Sequence, residues 1–156
     1  MKKLVLLASV VYCFGCSTRP TGGPVQANFY RLPSSADSES ETAPSTLSET
    51  MKAMDADLKT LAAQSNDVTR NPQSAALSEH FTWLVLHAKN FTPDSIAALP
   101  ANEQSAAKAD FDKMLQEASQ MGVDLATAFR QNNNSVANNI LKNLKLAKRE
   151  GHDKYK

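Results

Sequence analysis

Leu47, Met51, Met54, Leu58 and Leu61 recur at spacings of four, three, four and three. That period sets one apolar residue on the same side of each turn of a 3.6-residue helix and does not fit the alternation of a strand. Three further stretches repeat it. Ala76, Leu77, Phe81, Leu84, Val85 and Ala88 make the second, and Phe111, Leu115, Ala118, Gly122, Leu125 and Phe129 the third. Val136, Ala137, Ile140, Leu141, Leu144 and Ala147 make the fourth. Four helices with one apolar stripe each can bury those stripes only against one another, so the fold class is all-α. Composition agrees: aromatic residues make up 6% of the chain and there are five glycines. Apolar content led by Ala, Leu, Val and Met favours helices over sheets.

The breaks between stripes carry their own chemistry. The first helix begins after Pro44, with Thr46 as N-cap and Glu49 three residues on to complete a capping box, and it ends near Asn66. Asn71-Pro72 opens the second, with proline at the first helical position. It stops near Asn90, ahead of Thr92-Pro93. Residues 91–102 form a connection, in which 94–99 adds a short helical turn. The third helix runs from about Glu103 to Gln131, and Gly122 inside it costs roughly 1 kcal/mol relative to Ala. Asn132, Asn133, Asn134 and Ser135 are a turn, since Asn tolerates the left-handed conformation that ends helices and Asn or Ser caps the next one. Fairly short turns make neighbouring helices antiparallel. The expectation is an up-down-up-down four-helix bundle over residues 45–156.

The start of the chain reads differently. Met1-Lys2-Lys3 is a short basic segment, and residues 4–14 are an apolar run too short to span a membrane. Gly15-Cys16 resembles the end of a bacterial lipoprotein signal, with residues 1–16 as the leader and Cys16 as the lipid attachment. Cys13 and Phe14 depart from the usual residues before such a cysteine, and Ser17 is similar to the residue found in lipoproteins sent to the outer membrane. The chain is therefore expected to be exported to the periplasm and tethered to that membrane. Cys13 and Cys16 form a C-x-x-C followed by Ser17, not His, so they are no c-type haem attachment. Without a cysteine beyond Cys16, no structural disulfide can form in the bundle. Residues 17–44, rich in Ser, Thr, Pro and Gly, cannot bury enough apolar surface to offset their ordering entropy and read as a flexible tether.

Charge narrows the function. Lys2, Lys3, Arg19 and Arg31 precede the bundle, as do Asp37, Glu39 and Glu41; setting them aside leaves basic and acidic residues in balance. With no long basic run, nucleic acid is not an expected partner. No Ser-His-Asp, paired-carboxylate or phosphate-loop constellation appears, so the reading is not an enzyme. His80 and His87, seven apart, share a side of the second helix, but a metal needs more ligands than that pair.

His152 lies eleven residues after Leu141, within roughly 20° of the same direction at about 100° per residue. In an antiparallel bundle the end of the fourth helix meets the start of the first, so His152 comes level with Met51. Methionine is a soft ligand and histidine the usual imidazole one, and the two together hold haem iron in cytochromes and raise its potential. Singly, each has a plainer reading: a methionine in a helix stripe is ordinarily core, and a histidine near a terminus is ordinarily solvated. Lys142, Lys145, Lys148, Arg149, Lys154 and Lys156 either complement the helix dipole or meet haem propionates.

The stretch from Thr46 through Met51, Met54 and Leu58 to Lys59 resembles the first helix of the cytochrome b562 family. Gly151-His152-Asp153-Lys154-Tyr155-Lys156 resembles that family's C-terminus, Asp110-Phe111 its Asp-Phe pair at the haem pocket, and Lys89-Asn90-Phe91-Thr92-Pro93 its connection between helices two and three. Cytochrome b562 is itself a standard example of the up-down-up-down bundle, so for the family that topology is known rather than derived. The resemblance implies one non-covalent haem b, electron transfer with an unknown redox partner protein, and Met51 and His152 as axial ligands. It sets Leu47, Met54, Pro93, Phe111 and Leu115 against the porphyrin. Three positions depart from the pattern: Leu115 stands for a second Phe, Lys148 for an Arg, and Gly151 for a Tyr. The alternative is a haemless four-helix envelope lipoprotein acting as an interaction module.

Overall fold

The structure, a computed structural model, describes residues 43–155. The expected leader, Cys16 and the tether as far as residue 42 lie outside the described residues, as does Lys156. Those described hold five α-helices and no strand: α1 Leu47–Gln64, α2 Asn71–Ala88, α3 Asp94–Ala97, α4 Ala101–Arg130 and α5 Asn134–Tyr155. A 3-10 turn, Val68–Arg70, leads into α2. The four long helices alternate in direction, and the single turn α3 sits in the α2–α4 connection.

The capping chemistry sets the entry. Thr46 Oγ1 accepts the Glu49 N–H at 3.2 Å, and the Glu49 carboxylate accepts the Thr46 N–H at 3.2 Å and the Ser45 N–H at 2.9 Å. α4 starts two residues earlier than its sequence signals suggest, because Pro100 supplies the turn into it. Asn132 takes φ 55°, the left-handed turn expected of it.

That turn lies at one end of the bundle, which side-chain amides close. The buried Asn71 donates from Nδ2 to Asn132 Oδ1 and Asn134 Oδ1, both at 2.9 Å, and Asn134 donates back to Asn71 Oδ1 at 3.0 Å and to the Ser65 carbonyl at 2.7 Å. Ser65 Oγ donates to Asn138 Oδ1 at 2.7 Å. Two loops and the starts of α2 and α5 are thus pinned by hydrogen bonds in a partly buried setting, where an unmade bond is costly.

Phe81, Phe129, Leu61, Leu84, Ile96, Leu125, Leu144 and Val85 are the large side chains at the centre of the core. Along the second stripe Phe81, Leu84, Val85 and Ala88 are buried as expected, but at its start the buried residues are Ser74, Ala75 and Ser78, while Ala76 is exposed. Ser78 is tolerated there because its Oγ donates to the Ser74 carbonyl at 2.7 Å, hiding its polarity within the helix, whereas the buried Ser74 Oγ has no partner among the described residues. Val136 is likewise exposed, since the apolar face of α5 begins at Ala137.

Gly122 explains how α2 and α4 pack so closely. A Cβ on it would fall onto the Thr82 hydroxyl oxygen and come within 3.3 Å of the Phe81 ring. At Gly151 the same addition meets only Met114 Cε, at an ordinary 3.5 Å. The two Gly→Ala substitutions are therefore expected to have opposite signs. Gly122→Ala should destabilise by about 1–3 kcal/mol through overpacking, whereas Gly151→Ala should stabilise by up to about 1 kcal/mol through helix propensity. Urea unfolding of the two variants checks both; equal signs would refute the packing account.

Candidate functional site

α1 and α5 run antiparallel, and cross-helix pairs fix their register. At the amide-closed end Ser65 faces Asn138, and further along Asp55 takes an ion pair from Lys148. Four residues further along each helix, about 6 Å at ~1.5 Å per residue, the same register brings Met51 level with His152. The sequence expectation that these two share one end of the bundle therefore holds.

Their surroundings differ. Met51 is half-buried and packs against the core beside Leu47 and Met54, which are also half-buried. Phe111 and Leu115 are buried core members, 4% and 6% exposed, and Pro93 is buried at the entry to α3. Leu47, Met51, Met54, Phe111 and Leu115 thus belong to one apolar body. His152 does not: it is exposed, at the edge of the stripe that buries Leu141 and Leu144. It lines an open groove of about 580 Å³ between α1 and α5, with Leu58 and Ala62 on its apolar part and Asp55, Lys59, Lys145, Lys148 and Arg149 around them. α1 and α5 touch sparsely compared with the other long-helix neighbours, which is why a groove remains there.

The three histidines are not equivalent. His80 Nδ1 hydrogen-bonds the Asp57 carboxylate at 2.8 Å, and His87 Nε2 donates to the Pro44 carbonyl at 2.9 Å. Both rings also stack on Trp83, with centroids 5.7 and 5.4 Å away, and Phe91 meets His87 edge-on at 5.3 Å. Spacing alone did not reveal this ladder, although its i, i+3, i+4 steps on one helix were in the sequence. Among the described residues His152 makes no hydrogen bond, so both imidazole nitrogens are at liberty.

Charge at the groove is arranged in pairs. Lys148 and then Lys59 hold the Asp55 carboxyl down to about 2 from its ordinary 3.8. The contribution of this tie is whole above the ordinary carboxylate range and is lost as pH falls through about 2. Lys148, expected at a propionate or on a solvated face, is thus engaged with Asp55, while Lys145 and Arg149 carry no ion pair among the described residues. Beyond the groove, Lys154 and the Tyr155 hydroxyl both donate to Asp110, whose carboxyl they hold below the usual range; burial first, then Asp110, pushes the Tyr155 hydroxyl up.

A family model for cytochrome b562 matches residues 46–156, from the N-cap of α1 through the end of α5. The chain belongs to the cytochrome b562 family. Members of this family are haem-binding electron carriers, periplasmic where known, and not typical enzymes. Searches of curated proteins and of solved structures return no significant match.

The residues fit the group this family binds. A thioether on α1 and an unengaged imidazole on α5 stand at one level, in the order of donors that suits haem iron. Of the residues expected against the haem only His152 lines the groove; Met51, Leu47, Met54, Phe111 and Leu115 lie in the apolar body beside it. No cluster of three or more His, Cys, Asp or Glu side chains fit to hold a bare metal ion occurs among the described residues. Nor is any helix there long and apolar enough to cross a membrane.

Proposed function

We propose that this chain carries electrons on one non-covalent haem b held between Met51 and His152. The observation that carries the reading is the register of α1 and α5, which brings a half-buried thioether level with the single histidine not engaged elsewhere. Met51 supplies a soft sulfur from within the apolar body, and His152 an imidazole from the solvent side. Leu47, Met54, Pro93, Phe111 and Leu115 exclude water from the porphyrin faces. The bound group supplies one-electron chemistry at a potential raised by a Met/His ligand pair. The groove beside His152 leaves one edge accessible, which a carrier needs in order to meet its redox partner protein.

Absorption spectra of the purified protein with added haem, oxidised and then dithionite-reduced, test the proposal. A sharp low-spin spectrum at one haem per chain is expected. A broad spectrum of loosely adsorbed haem would favour the haemless interaction module instead.

The same proposal extends to location. Residues 1–16 direct export to the periplasm, lipid on Cys16 anchors the chain to the outer membrane, and residues 17–44 tether the bundle. Pro44, where the tether joins, lies at the Met51 end and is clipped to α2 by His87. Detergent partitioning of the native protein decides it: a mature chain that stays in the aqueous phase and starts elsewhere than Cys16 has no such anchor.

A further inference from the structure

We propose that Ser95, Asp110 and Tyr155 form a latch that holds the last turn of α5 and so positions His152. The proposal rests on the haem reading above for its consequence, though not for the latch itself.

The last turn of a helix frays unless something ties it, since its final carbonyls lack partners within the helix. Here fraying is favoured further by Gly151, immediately before His152. Contacts with α1 do little to oppose it, because α1 and α5 touch sparsely. The turn is held from the other side. Ser95 Oγ, on α3, donates to the Tyr155 carbonyl at 2.9 Å, satisfying one of those final acceptors. The Tyr155 hydroxyl donates to Asp110 on α4, and Lys154 reaches the same carboxylate. The Tyr155 ring meets the buried Phe111 edge-on with centroids 5.2 Å apart, close to the preferred geometry of an aromatic pair. Met114 of α4 lies against Gly151 on the same side.

These contacts grip α5 at 151, 154 and 155 from α3 and α4, and leave 152 pointing away from them, exposed, beside the α1 groove. His152 is one turn before Tyr155. The α1–α5 pairs set its height relative to Met51, and the Tyr155 latch, beyond the last of those pairs at Asp55 and Lys148, holds the rotation of the turn that carries it. Tyr155 and Asp110 are positioning residues, since neither is among the groups that would touch iron. α3, a single turn in an otherwise plain connection, gains a role: it brings the Ser95 hydroxyl to the end of α5.

The test uses the full chain with Tyr155→Phe, Asp110→Asn and Ser95→Ala. Tyr155→Phe keeps the ring on Phe111, and Asp110→Asn keeps the shape, so neither threatens the fold. In haem-free protein, amide hydrogen exchange in the turn 151–155 should quicken about tenfold in the first two variants and about threefold in the third, with α1, α2 and α4 unchanged. In haem-loaded protein, haem should pass to an excess of apomyoglobin about tenfold faster from Tyr155→Phe and Asp110→Asn, since a loosened His152 holds iron less well. Unchanged exchange at 151–155 in both variants overturns the latch. Faster exchange with unchanged haem loss overturns its role in positioning His152. Faster exchange in a protein that binds no haem overturns the haem reading and leaves the latch standing.

Discussion

Replacing His152 with Ala should abolish the low-spin spectrum of added haem and weaken its binding by a hundredfold or more, while leaving the helical content and thermal stability of the haem-free protein unchanged. The two halves of this result have separate causes. His152 is exposed and makes no hydrogen bond among the described residues, so its removal takes nothing from the core. As the imidazole donor it cannot be replaced by the other two histidines, which are committed to Asp57 and to the Pro44 carbonyl. His87 is the sharper control, because it sits at the same end of the bundle as Met51. His87→Ala should loosen Pro44 and unstack one face of Trp83 yet leave the spectrum intact. Were His87→Ala to lose the low-spin bands and His152→Ala to keep them, the donor would be the wrong histidine. Titration of the three proteins with haem, followed by absorption, makes the comparison.

What could be read from the chain divides along physical lines. Local rules with a single chemical cause transferred directly: the Thr46–Glu49 capping box, proline opening α2, and the left-handed Asn132 each depend on a few adjacent residues and on nothing distant. The stripes transferred as helices but not always as faces. Hydrophobicity alone cannot see that Ser74 and Ser78 are buried: Ser78 returns its hydroxyl to its own helix and is effectively apolar, while the small Ser74 is buried with its hydroxyl unpartnered among the described residues. So only the start of the second stripe differs, at Ala76, which is exposed, and Ala75, which is buried. For Gly122 the sequence names the compensation, close helix approach, without showing it; Thr82 and Phe81, packed against the glycine, supply it. The amide cluster around Asn71 is invisible for a different reason: its members come from two connections far apart in sequence and from the helices they lead into, and each taken alone is an ordinary turn or cap residue. The candidate site shows the same division. Topology and spacing brought Met51 and His152 to one level, and the composition of the stripe put Leu47, Met54, Phe111 and Leu115 in one apolar body. Whether a histidine at the edge of a stripe faces inward or outward is a matter of some tens of degrees of helix rotation, which depends on how the last turn is held. Tyr155, Asp110 and Ser95, which hold it, carried no signal beyond the Asp-Phe pair already noted.

Met51→Ala and Met54→Ala should cost similar stability but separate completely in the spectrum. Both side chains are half-buried and pack against the same core, so truncating either should destabilise the haem-free bundle by about 1–2 kcal/mol, less than a fully buried Met→Ala. Their heights differ. Met54 stands three residues, about 4.5 Å, further along α1 and turned by roughly 60° from Met51. By the register that pairs Asp55 with Lys148, that level belongs to Arg149, not His152. Sulfur from Met54 would have to reach back a full turn, against the packing that holds it in the core. Met51→Ala should therefore leave haem bound through His152 alone. The reduced bands should broaden toward high spin, and the midpoint potential should fall on the order of 100 mV, a modest part of the ~0.8 V that axial ligands command. Met54→Ala should keep the low-spin bands and lose affinity only modestly, since it removes pocket surface and no donor. Spectroelectrochemistry of the two variants beside the unmodified protein reads all of this at once. The assignment of sulfur to Met51 fails if Met54→Ala shifts the potential and Met51→Ala does not.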